Sequence, residues 1–391
     1  MKKSLVYLQS GGPTSVINSS LYGVVIEARK HQDRIDRVYG AHFGVEGLLN
    51  GDLIDLTDVP EEELELLKQT PGAALGSSRH KLGPGDKSNV LAFCESRNIG
   101  YILVNGGNDS MDTCHRLGRF FESRGSDIRV IGVPKTMDND LVEIDHTPGF
   151  GSAAKQIINS VQSIIIDGMA YTKGKVVLIE VMGREAGWVA AVPDLLEEPF
   201  RPDLFYFPEI GFDYEECKEA IQKIYKEKKR CFVMVGEGIP FERKNSTKDD
   251  GFGHRPLDGV SPMLAERLSA DTGLDIRWIS LSIPTRCSPT LIAGNDQKEA
   301  IEVGKEAVKA ALAGETWKMV SIRVDSRDPY KVSYPLVDAE KVANGVKPIP
   351  PEFLLDHTRM SDAFREYLRP LVAGQTEPIK EKDGIALSFK R

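Results

Sequence analysis

The chain has 391 residues, of which 41% are hydrophobic and 28% charged, and its net charge is −8. This composition supports a large buried core, the length favours two domains, and the lack of a basic block argues against nucleic-acid binding. No apolar run approaches the ~18 residues of a membrane-spanning helix, so we expect no membrane insertion. The five cysteines are odd in number and form no CxxC pair, which favours reduced thiols and a cytoplasmic protein.

Short apolar runs that end near glycine alternate with helical patterns along the chain. Strands are predicted at 4–8, 101–104, 130–133, 176–181 and 231–235, and helices from about 16 to 30 and from about 111. Strands that are apolar throughout are buried on both faces, which is typical of parallel sheets covered by helices. The predicted fold is therefore α/β, with glycine-rich turns at the carboxyl ends of strands, where such sheets bind ligands.

Three further segments concern the organisation of the chain. A second α/β unit is predicted to begin near Gly149. The polar, glycine-rich segment 241–259 is predicted to be a long surface loop, and 373–384 an exposed tail. We find no internal repeat of short period, so a solenoid is not expected.

Glycine turns precede two of the predicted helices. The stretch 10-SGGPTSVINSS-20 places Gly11 and Gly12 before a helix, whose free N–H groups can bind an anion, although a plain packing turn fits the same residues. In 76-GSSRHKLG-83, Arg79 could reach a phosphate or remain a solvated cation. The turn 106-GGNDS-110 has a similar form, yet Asp109 brings a carboxylate to the place where a phosphate would lie. The simpler alternative is that Asp109 caps the helix.

The segment 134-PKTMDNDL-141 follows directly after a predicted strand. It holds Asp138 and Asp140, which are one residue apart, beside Lys135 and Thr136. A carboxylate near a cation and a phosphate can accept a hydroxyl proton as that hydroxyl attacks phosphorus. The same residue types also build ordinary turns, so both interpretations stay open on local grounds.

Later strand ends carry further charged side chains. Arg184 follows one strand in 181-VMGREAGW-188, and Glu237 follows another in 235-VGEGIP-240, where a carboxylate can accept hydrogen bonds from a polyol. Arg277 and Arg286 flank an apolar run and can converge on one phosphate. Each feature alone is more often structural, but their joint placement at strand ends favours a functional site.

Taken in order, the motifs SGGP, LGSSR, GGNDS, PKTMDND, MGR and GEG, with a closing arginine, resemble the phosphofructokinase family over roughly residues 4–300. The resemblance implies two similar Rossmann-like α/β domains with mainly parallel sheets facing a cleft. Residues 1–149 with about 286–350 would form the phosphoryl-donor (pyrophosphate) domain. Residues 150–285 would form the sugar-phosphate domain, and 351–391 a C-terminal extension.

The resemblance also implies roles for individual residues. Asp138 would be the general base on the sugar 1-hydroxyl, Arg184 would lie near the transferring phosphoryl group, and Glu237 would accept hydrogen bonds from sugar hydroxyls. Gly12 and Arg79 would attend the donor phosphates. The other residues of the acceptor site would be Thr136, Met137, Asp140, Met182, Gly183, Arg277 and Arg286, of which the two arginines would grip the 6-phosphate.

Two positions indicate the pyrophosphate-dependent branch of the family. ATP-dependent members resemble this chain but have Gly at the positions of Asp109 and Lys135, whereas pyrophosphate-dependent members have Asp and Lys. A carboxylate at Asp109 would occupy the space of the nucleotide α-phosphate and repel its charge. Lys135 would supply a cation to the short donor and to its leaving phosphate.

The chain departs from the family pattern at three places. Asn108 stands where many members have an Asp that serves magnesium, and a neutral amide is a poorer ligand for a hard cation. Lys175 stands where ATP-dependent members have an arginine from the neighbouring subunit, so the charge is kept without the bidentate fork. The stretch 283-IPTRCSP-289 replaces the usual QRGG, and Ile283 stands at a substrate-contact position where pyrophosphate enzymes commonly have Tyr.

The implied enzyme is a glycolytic phosphotransferase. It would move phosphoryl reversibly from magnesium pyrophosphate to the 1-hydroxyl of fructose 6-phosphate, giving fructose 1,6-bisphosphate and phosphate. Mg²⁺ is the implied cofactor, and a homodimer or homotetramer is expected, with Lys175 and Arg277 as the candidates to cross the interface. The open alternatives are ATP as donor, sedoheptulose 7-phosphate as acceptor, and a catalytically silent sugar-phosphate-binding regulatory protein. A nicotinamide dehydrogenase is disfavoured, because the glycine turns do not read G-x-G-x-x-G.

Overall fold

The structure is a computed structural model that describes residues 2–241 and 259–390. The surface loop predicted at 241–259 therefore lies, apart from its two end residues, outside the described residues. Within residues 2–241 and 259–390, no helix has both the length and the apolar character needed to cross a membrane.

Strands and helices alternate along most of the chain. The strands are β1 (Lys3–Gln9), β2 (Ile35–Ala41), β3 (Leu53–Asp55), β4 (Ile99–Gly106), β5 (Arg129–Pro134), β6 (Val176–Val181), β7 (Leu204–Tyr206), β8 (Cys231–Gly236), β9 (Ile276–Leu281), β10 (Lys318–Val320), β11 (Arg323–Arg327), β12 (Tyr330–Ser333), β13 (Leu336–Asp338), β14 (Leu354–Asp356), β15 (Arg359–Met360), β16 (Glu381–Lys382) and β17 (Ile385–Ala386). The helices are α1 (Ile17–Ala28), α2 (Val45–Asn50), α3 (Glu61–Glu65), α4 (Asp86–Ser96), α5 (Asn108–Ser123), α6 (Phe150–Met169), α7 (Trp188–Ala191), α8 (Tyr214–Lys228), α9 (Ser261–Thr272), α10 (Gly294–Leu312), α11 (Ala339–Val342) and α12 (Asp362–Leu371). Short 3₁₀ turns lie at Arg29–His31, Leu66–Lys68, Val192–Leu195, Pro208–Ile210, Ile283–Thr285 and Pro351–Phe353.

In the part of the chain that the structure describes, the larger sheet has seven strands in the order β13-β10-β5-β4-β1-β2-β3. The five inner strands run parallel, and β3 and β13 are antiparallel edges. Strand β2 lies on one side of β1, and β4 and β5 lie on the other. The direction of winding therefore reverses between β1 and β4, and a doubly wound sheet binds ligands outside the strand ends at such a switch point.

The second sheet has four parallel strands among the described residues, in the order β7-β8-β6-β9. Every residue of β6 and β8 is buried, as the apolar runs predict. The structure therefore confirms the predicted α/β architecture with mainly parallel sheets. Strand β9 lies at the edge of this sheet, and three of its residues, Arg277, Trp278 and Ser280, are exposed.

Helix α10 connects the second sheet to the first, and it packs closely against α1. Gly23 and Gly304 allow this approach, because a Cβ atom would lie 2.1 Å from the Ile301 carbonyl oxygen at Gly23 and 2.2 Å from the Ser20 carbonyl oxygen at Gly304. Strands β10 and β13 then complete the larger sheet. This sheet is thus built from two separated parts of the chain.

The C-terminal segment packs against both units. Helix α12 buries Phe364, Tyr367, Leu368 and Leu371 in the core of the second sheet. The stretch 373–384, predicted to be an exposed tail, is mostly exposed. Its last residues enter the short β16–β17 hairpin, whose flanks are anchored because the Gln69 amide donates to the Lys380 and Leu387 carbonyl oxygens at 2.8 Å each. Phe389 then packs on the core of the first sheet.

Candidate active site

A cleft of about 810 Å³ lies between the carboxyl ends of the two sheets. The turn after β1, the start of α5 and the loop after β5 form one side, and the turns after β6 and β8 form the other. Most of the predicted site residues line it: Gly12, Arg79, Asn108, Asp109, Lys135, Thr136, Met137, Asp138, Asp140, Met182, Gly183, Arg184, Glu237 and Arg286. The fold therefore gathers side chains that are up to 274 positions apart in the sequence (from 12 to 286).

At the end of the cleft formed by β1 and β5, cationic side chains lie next to backbone groups of a glycine turn. The Lys135 ammonium is buried and donates to the Gly12 carbonyl oxygen at 2.6 Å. A Cβ atom at Gly12 would lie 3.0 Å from a guanidinium nitrogen of Arg286, so glycine lets this arginine approach the turn. Burial lowers the pKa of Lys135 to about 8, against the opposing effect of the Asp138 charge. Two cations beside exposed backbone suit a small polyanion.

Helix α5 begins at Asn108, three residues earlier than the prediction from the sequence, with Gly107 as its N-cap. The capping interpretation of Asp109 is therefore wrong. Asp109 is the second helical residue; its carboxylate lines the cleft and lies 3.7 Å from the Lys81 ammonium. Its negative charge lies beside the positive end of the helix, which is electrostatically favourable. The carboxylate also occupies part of the space in which an anion could bind.

Asp138 and Asp140 lie in the loop that follows β5. The Asp138 backbone N–H donates to the Thr136 hydroxyl at 3.1 Å, which fixes the start of this loop. Burial raises the pKa of Asp138, and Glu237 adds to the effect, while Lys135, Arg286 and Arg184 oppose it. Burial and the neighbouring Asp138 charge likewise raise the pKa of Asp140. A carboxylate whose pKa is raised toward neutrality is better suited to accept a proton than an ordinary surface aspartate.

The opposite wall is shaped by a hydrogen bond between the turns after β6 and β8. Gly183 has a φ of +127°, a conformation that favours glycine, and its N–H donates to a Glu237 carboxylate oxygen at 3.1 Å. This bond orients the carboxylate and holds Met182 and Arg184 at the cleft. The wall thus offers an acceptor for hydroxyl groups next to a guanidinium that can reach a phosphoryl group.

Two residues of the cleft lining, Asn108 and Asp140, carry oxygen atoms of the kind that bind a divalent cation. Asn108 Oδ1 is buried and has no hydrogen-bond partner in the described part of the chain, while the Asn108 amide nitrogen lies 3.5 Å from Asp140 Oδ2. Amide and carboxylate oxygens fit Mg²⁺, which usually keeps only one or two protein ligands beside phosphates and waters. Within 2–241 and 259–390, no group of three or more His, Cys, Asp or Glu residues could hold a metal by itself.

Three predicted residues lie outside the cleft lining that the described residues form: Lys175, Arg277 and Ile283. Lys175 immediately precedes β6 and pairs with Asp275 at 2.6 Å, and Arg277 is in register with Val177 at the same end of the sheet. Six residues of strand span about 20 Å, so both cations are far from the carboxyl end of β6. Ile283 is 58% exposed in a 3₁₀ turn.

The structure adds cleft residues that the sequence analysis missed. Asn344 and Val346 line the cleft, and Lys347 donates from its ammonium to the Ile144 and Asp145 carbonyl oxygens at 3.0 and 2.8 Å. The backbone N–H of Lys347 also donates to the Asp140 carbonyl oxygen at 2.7 Å. The glycine and prolines around this segment indicate a loop, but nothing in its sequence indicates which loop it meets.

Comparison with known proteins agrees with this geometry. The model of the phosphofructokinase family matches residues 4–311. Two relatives named pyrophosphate–fructose 6-phosphate 1-phosphotransferase are similar over nearly the whole chain: that of Halomonas elongata is 38% identical over 95% of this chain and 92% of its own length, and that of Methylococcus capsulatus is 36% identical over 96% and 93%. The crystal structure of a pyrophosphate-dependent phosphofructokinase from Marinobacter aquaeolei is 35% identical, with a TM-score of 0.89, over 100% of this chain and 96% of that chain. The chain belongs to the phosphofructokinase family.

Proposed function

We propose that the chain transfers a phosphoryl group from pyrophosphate to the 1-hydroxyl of fructose 6-phosphate, giving fructose 1,6-bisphosphate and phosphate, as a reversible step of glycolysis. The observation that carries this proposal is the presence of Asp109 and Lys135 in one cleft with Asp138. The Asp109 carboxylate disfavours a nucleotide phosphate, Lys135 supplies a cation to the short donor, and Asp138 supplies a base. The names of the relatives support the same reaction.

The two units supply different main ligands in this proposal, and residues of both units contact the acceptor. Residues 1–149 with about 286–350 form the donor unit, where Gly12, Arg79 and Lys135 bind pyrophosphate. Residues 150–285 form the sugar-phosphate unit. The acceptor is held by Thr136, Met137, Asp140, Met182, Gly183, Glu237 and Arg286.

Transfer begins with the sugar 1-hydroxyl beside Asp138. The carboxylate takes the hydroxyl proton as the oxygen attacks the nearer phosphorus of pyrophosphate, and inorganic phosphate leaves. Arg184 and Lys135 stabilise the charge on the transferred and leaving groups, because both cations face the cleft next to Asp138. Positioning supplies much of the rate, since phosphoryl transfer needs little covalent help from the protein.

Asn108 and Asp140 would hold Mg²⁺ together with oxygens of the donor. When bound, the ion neutralises charge on the pyrophosphate oxygens. The buried, unpartnered Oδ1 of Asn108 supports this assignment.

We further propose a homodimer or homotetramer in the cytoplasm. Lys175 and Arg277 lie away from the cleft of their own chain, next to an exposed sheet edge, which suits residues that complete the site of a neighbouring subunit. All five cysteines, each within the described residues, are free thiols, as is typical of a reducing compartment.

Subunit mixing tests the shared site. Arg277→Ala and Asp138→Asn should each be nearly inactive alone. Their mixture should regain activity, because a mixed dimer contains one site with both native residues. Failure to regain activity in a verified mixed dimer would place Arg277 outside the partner's site.

The decisive experiment for function compares turnover of fructose 6-phosphate with magnesium pyrophosphate and with magnesium ATP. We expect turnover with pyrophosphate only, and a loss of at least about 10³-fold in kcat for Asp138→Asn with little change in KM. Asp112→Asn, which changes an acidic residue of α5 paired with Arg116, is the matched control and should keep full activity. Turnover with ATP alone would overturn the donor assignment. Binding of sugar phosphate without turnover would favour the silent regulatory protein, and faster turnover of sedoheptulose 7-phosphate would change the acceptor.

A further inference from the structure

The hydroxyl of Tyr367 joins two points of the loop that carries Asp138 and Asp140. It accepts a hydrogen bond from the Asn139 amide nitrogen at 2.8 Å and donates one to the Asp145 carbonyl oxygen at 2.9 Å. Tyr367 is 4% exposed and Asn139 is fully buried. Water therefore cannot easily replace the hydroxyl, and both partners would lose a buried hydrogen bond without it.

Asn139 determines the course of the backbone between the two aspartates. It has a φ of +55°, in the left-handed region that is costly for most residues other than glycine. Its side-chain oxygen accepts from the Thr147 N–H at 3.1 Å, while its nitrogen is held by Tyr367. Asparagine adopts this conformation more readily than most residues, and its two side-chain hydrogen bonds fix it there.

The helix that presents this hydroxyl is itself firmly packed. The Tyr367 ring lies 5.4 Å from the Trp188 ring and 5.3 Å from the Phe353 ring, measured between centroids. Arg327 lies over the same ring at 5.2 Å and is 3.7 Å from the Asp145 carboxylate. The hydroxyl is thus a fixed point against which the loop is set.

We propose that Tyr367 is a positioning residue for phosphoryl transfer: its hydroxyl holds Asn139, and through Asn139 it sets the Asp138 carboxylate against the acceptor hydroxyl. This rests on the proposed function, in which Asp138 is the base. The family model ends at residue 311, so the residue lies beyond the matched domain. The C-terminal helix then contributes to catalysis as well as to the core.

The test removes one oxygen atom with Tyr367→Phe. We expect kcat to fall by about tenfold or more while KM for both substrates changes little, because a small displacement of a catalytic group affects the chemical step first. Tyr7→Phe is the matched control, since the Tyr7 hydroxyl is buried without a partner among the described residues, and kcat should be unchanged. Phe364→Leu loosens the same helix without touching the hydroxyl, and should lower thermal stability but not kcat.

Amide hydrogen exchange of the segment 138–149 gives a second readout that does not depend on the reaction. Exchange should be faster in Tyr367→Phe than in Phe364→Leu, above all at Thr147. Arg327→Gln changes a half-exposed residue that lies over the Tyr367 ring, and it should also lower kcat. This variant tests the proposal if Tyr367→Phe does not fold. Unchanged kcat and exchange in folded Tyr367→Phe, with an active native enzyme, would overturn the inference. An inactive native enzyme would instead overturn the proposed function, and the exchange result would still decide whether Tyr367 holds the loop.

Discussion

Lys135 and Gly12 are joined across the switch point of the larger sheet by a hydrogen bond of 2.6 Å from the lysine ammonium to the glycine carbonyl oxygen. The bond links the end of β5 to the end of β1, with β4 between them. It uses one of the three donors of the ammonium, so two remain for an anion in the cleft. The buried Lys135 ammonium thus holds the turn after β1 in place and also supplies positive charge to the donor site.

Replacing this ammonium should impair donor binding most. Lys135→Met keeps the unbranched chain as far as Cε but removes the ammonium, so KM for pyrophosphate should rise by about tenfold or more while KM for fructose 6-phosphate changes less. Steady-state kinetics with each substrate varied in turn provide the measurement. Lys135→Arg is the charge-conserving comparison and should retain more affinity than Lys135→Met. An equal rise in both KM values would indicate a general collapse of the cleft.

The carboxylate of Asp109 should control the choice of donor. Asp109→Gly removes both its volume and its negative charge, so the ratio of kcat/KM for ATP over pyrophosphate should increase by about tenfold or more. The helix should persist, because Gly107 and not Asp109 is its N-cap. Parallel assays with the two donors measure the ratio. A ratio equal to that of the native enzyme would mean that other groups exclude the nucleotide.

The activity should depend on pH as a bell-shaped curve. Burial first, and then the Glu237 charge, raise the pKa of Asp138 to about 6, so kcat/KM should fall below that pH as the base becomes protonated. Burial lowers the pKa of Lys135 to about 8, so kcat/KM for pyrophosphate should fall above that pH as the ammonium loses its proton. The profile of kcat/KM reports these groups in the free enzyme.

Variants assign the two limbs of that curve. Lys135→Arg should extend activity to higher pH, because an arginine keeps its proton throughout this range. The acid limb should stay in place in the same variant. An alkaline limb that does not move would assign it to another group.

The protein should lose stability between pH 6.5 and about 9 as His146 loses a proton. Its imidazole is buried between Asp145 and Glu299, with distances of 2.9 and 2.6 Å, and the Tyr330 hydroxyl donates to Glu299. Burial would lower its pKa, but the Glu299 charge and the hydrogen bonds with both carboxylates raise it from 6.5 to about 9. A raised folded pKa adds stability below the unfolded value, and this is lost as pH rises through the folded value.

Denaturant unfolding as a function of pH measures this contribution. The native protein should lose on the order of 3 kcal/mol of unfolding free energy from pH 6.5 to above 9. His146→Gln should be less stable at pH 6.5 and should show a flatter pH dependence. An identical slope in the two proteins would contradict a charged imidazole.

The fold was predictable from the sequence where one local signal sufficed. The run 176–181 is apolar except for Glu180, and β6 has those bounds. The start of α5 was predicted three residues too late, because the N-cap is Gly107, which takes an extended conformation, and the helix begins at Asn108. The anchoring of residues 380–389 on Gln69 and Thr70 has no local signal, because backbone groups make most of those hydrogen bonds.

The site was predictable to a similar degree. Residues directly after strands, such as Asp138 and Glu237, reach the cleft because parallel strands bring their carboxyl ends to one edge. Lys347 and Tyr367 were missed, because they come from a segment far along the chain and hydrogen-bond to backbone carbonyls and an amide of the Asp138 loop, which leave no pattern in the sequence. Lys175 and Arg277 are the opposite case: the sequence predicts them as site residues, but the single chain does not bring them to the cleft.

The division of the larger sheet between two parts of the chain has a consequence for its synthesis. During synthesis, β1 to β5 emerge from the ribosome early. Strand β10, which covers the open edge of β5, emerges only after all four strands of the second sheet. An unpaired, apolar strand edge readily associates with other chains. The nascent protein should therefore need chaperone protection along β5 during this interval, and translational pausing between residues 135 and 317 should increase aggregation more than pausing after residue 340.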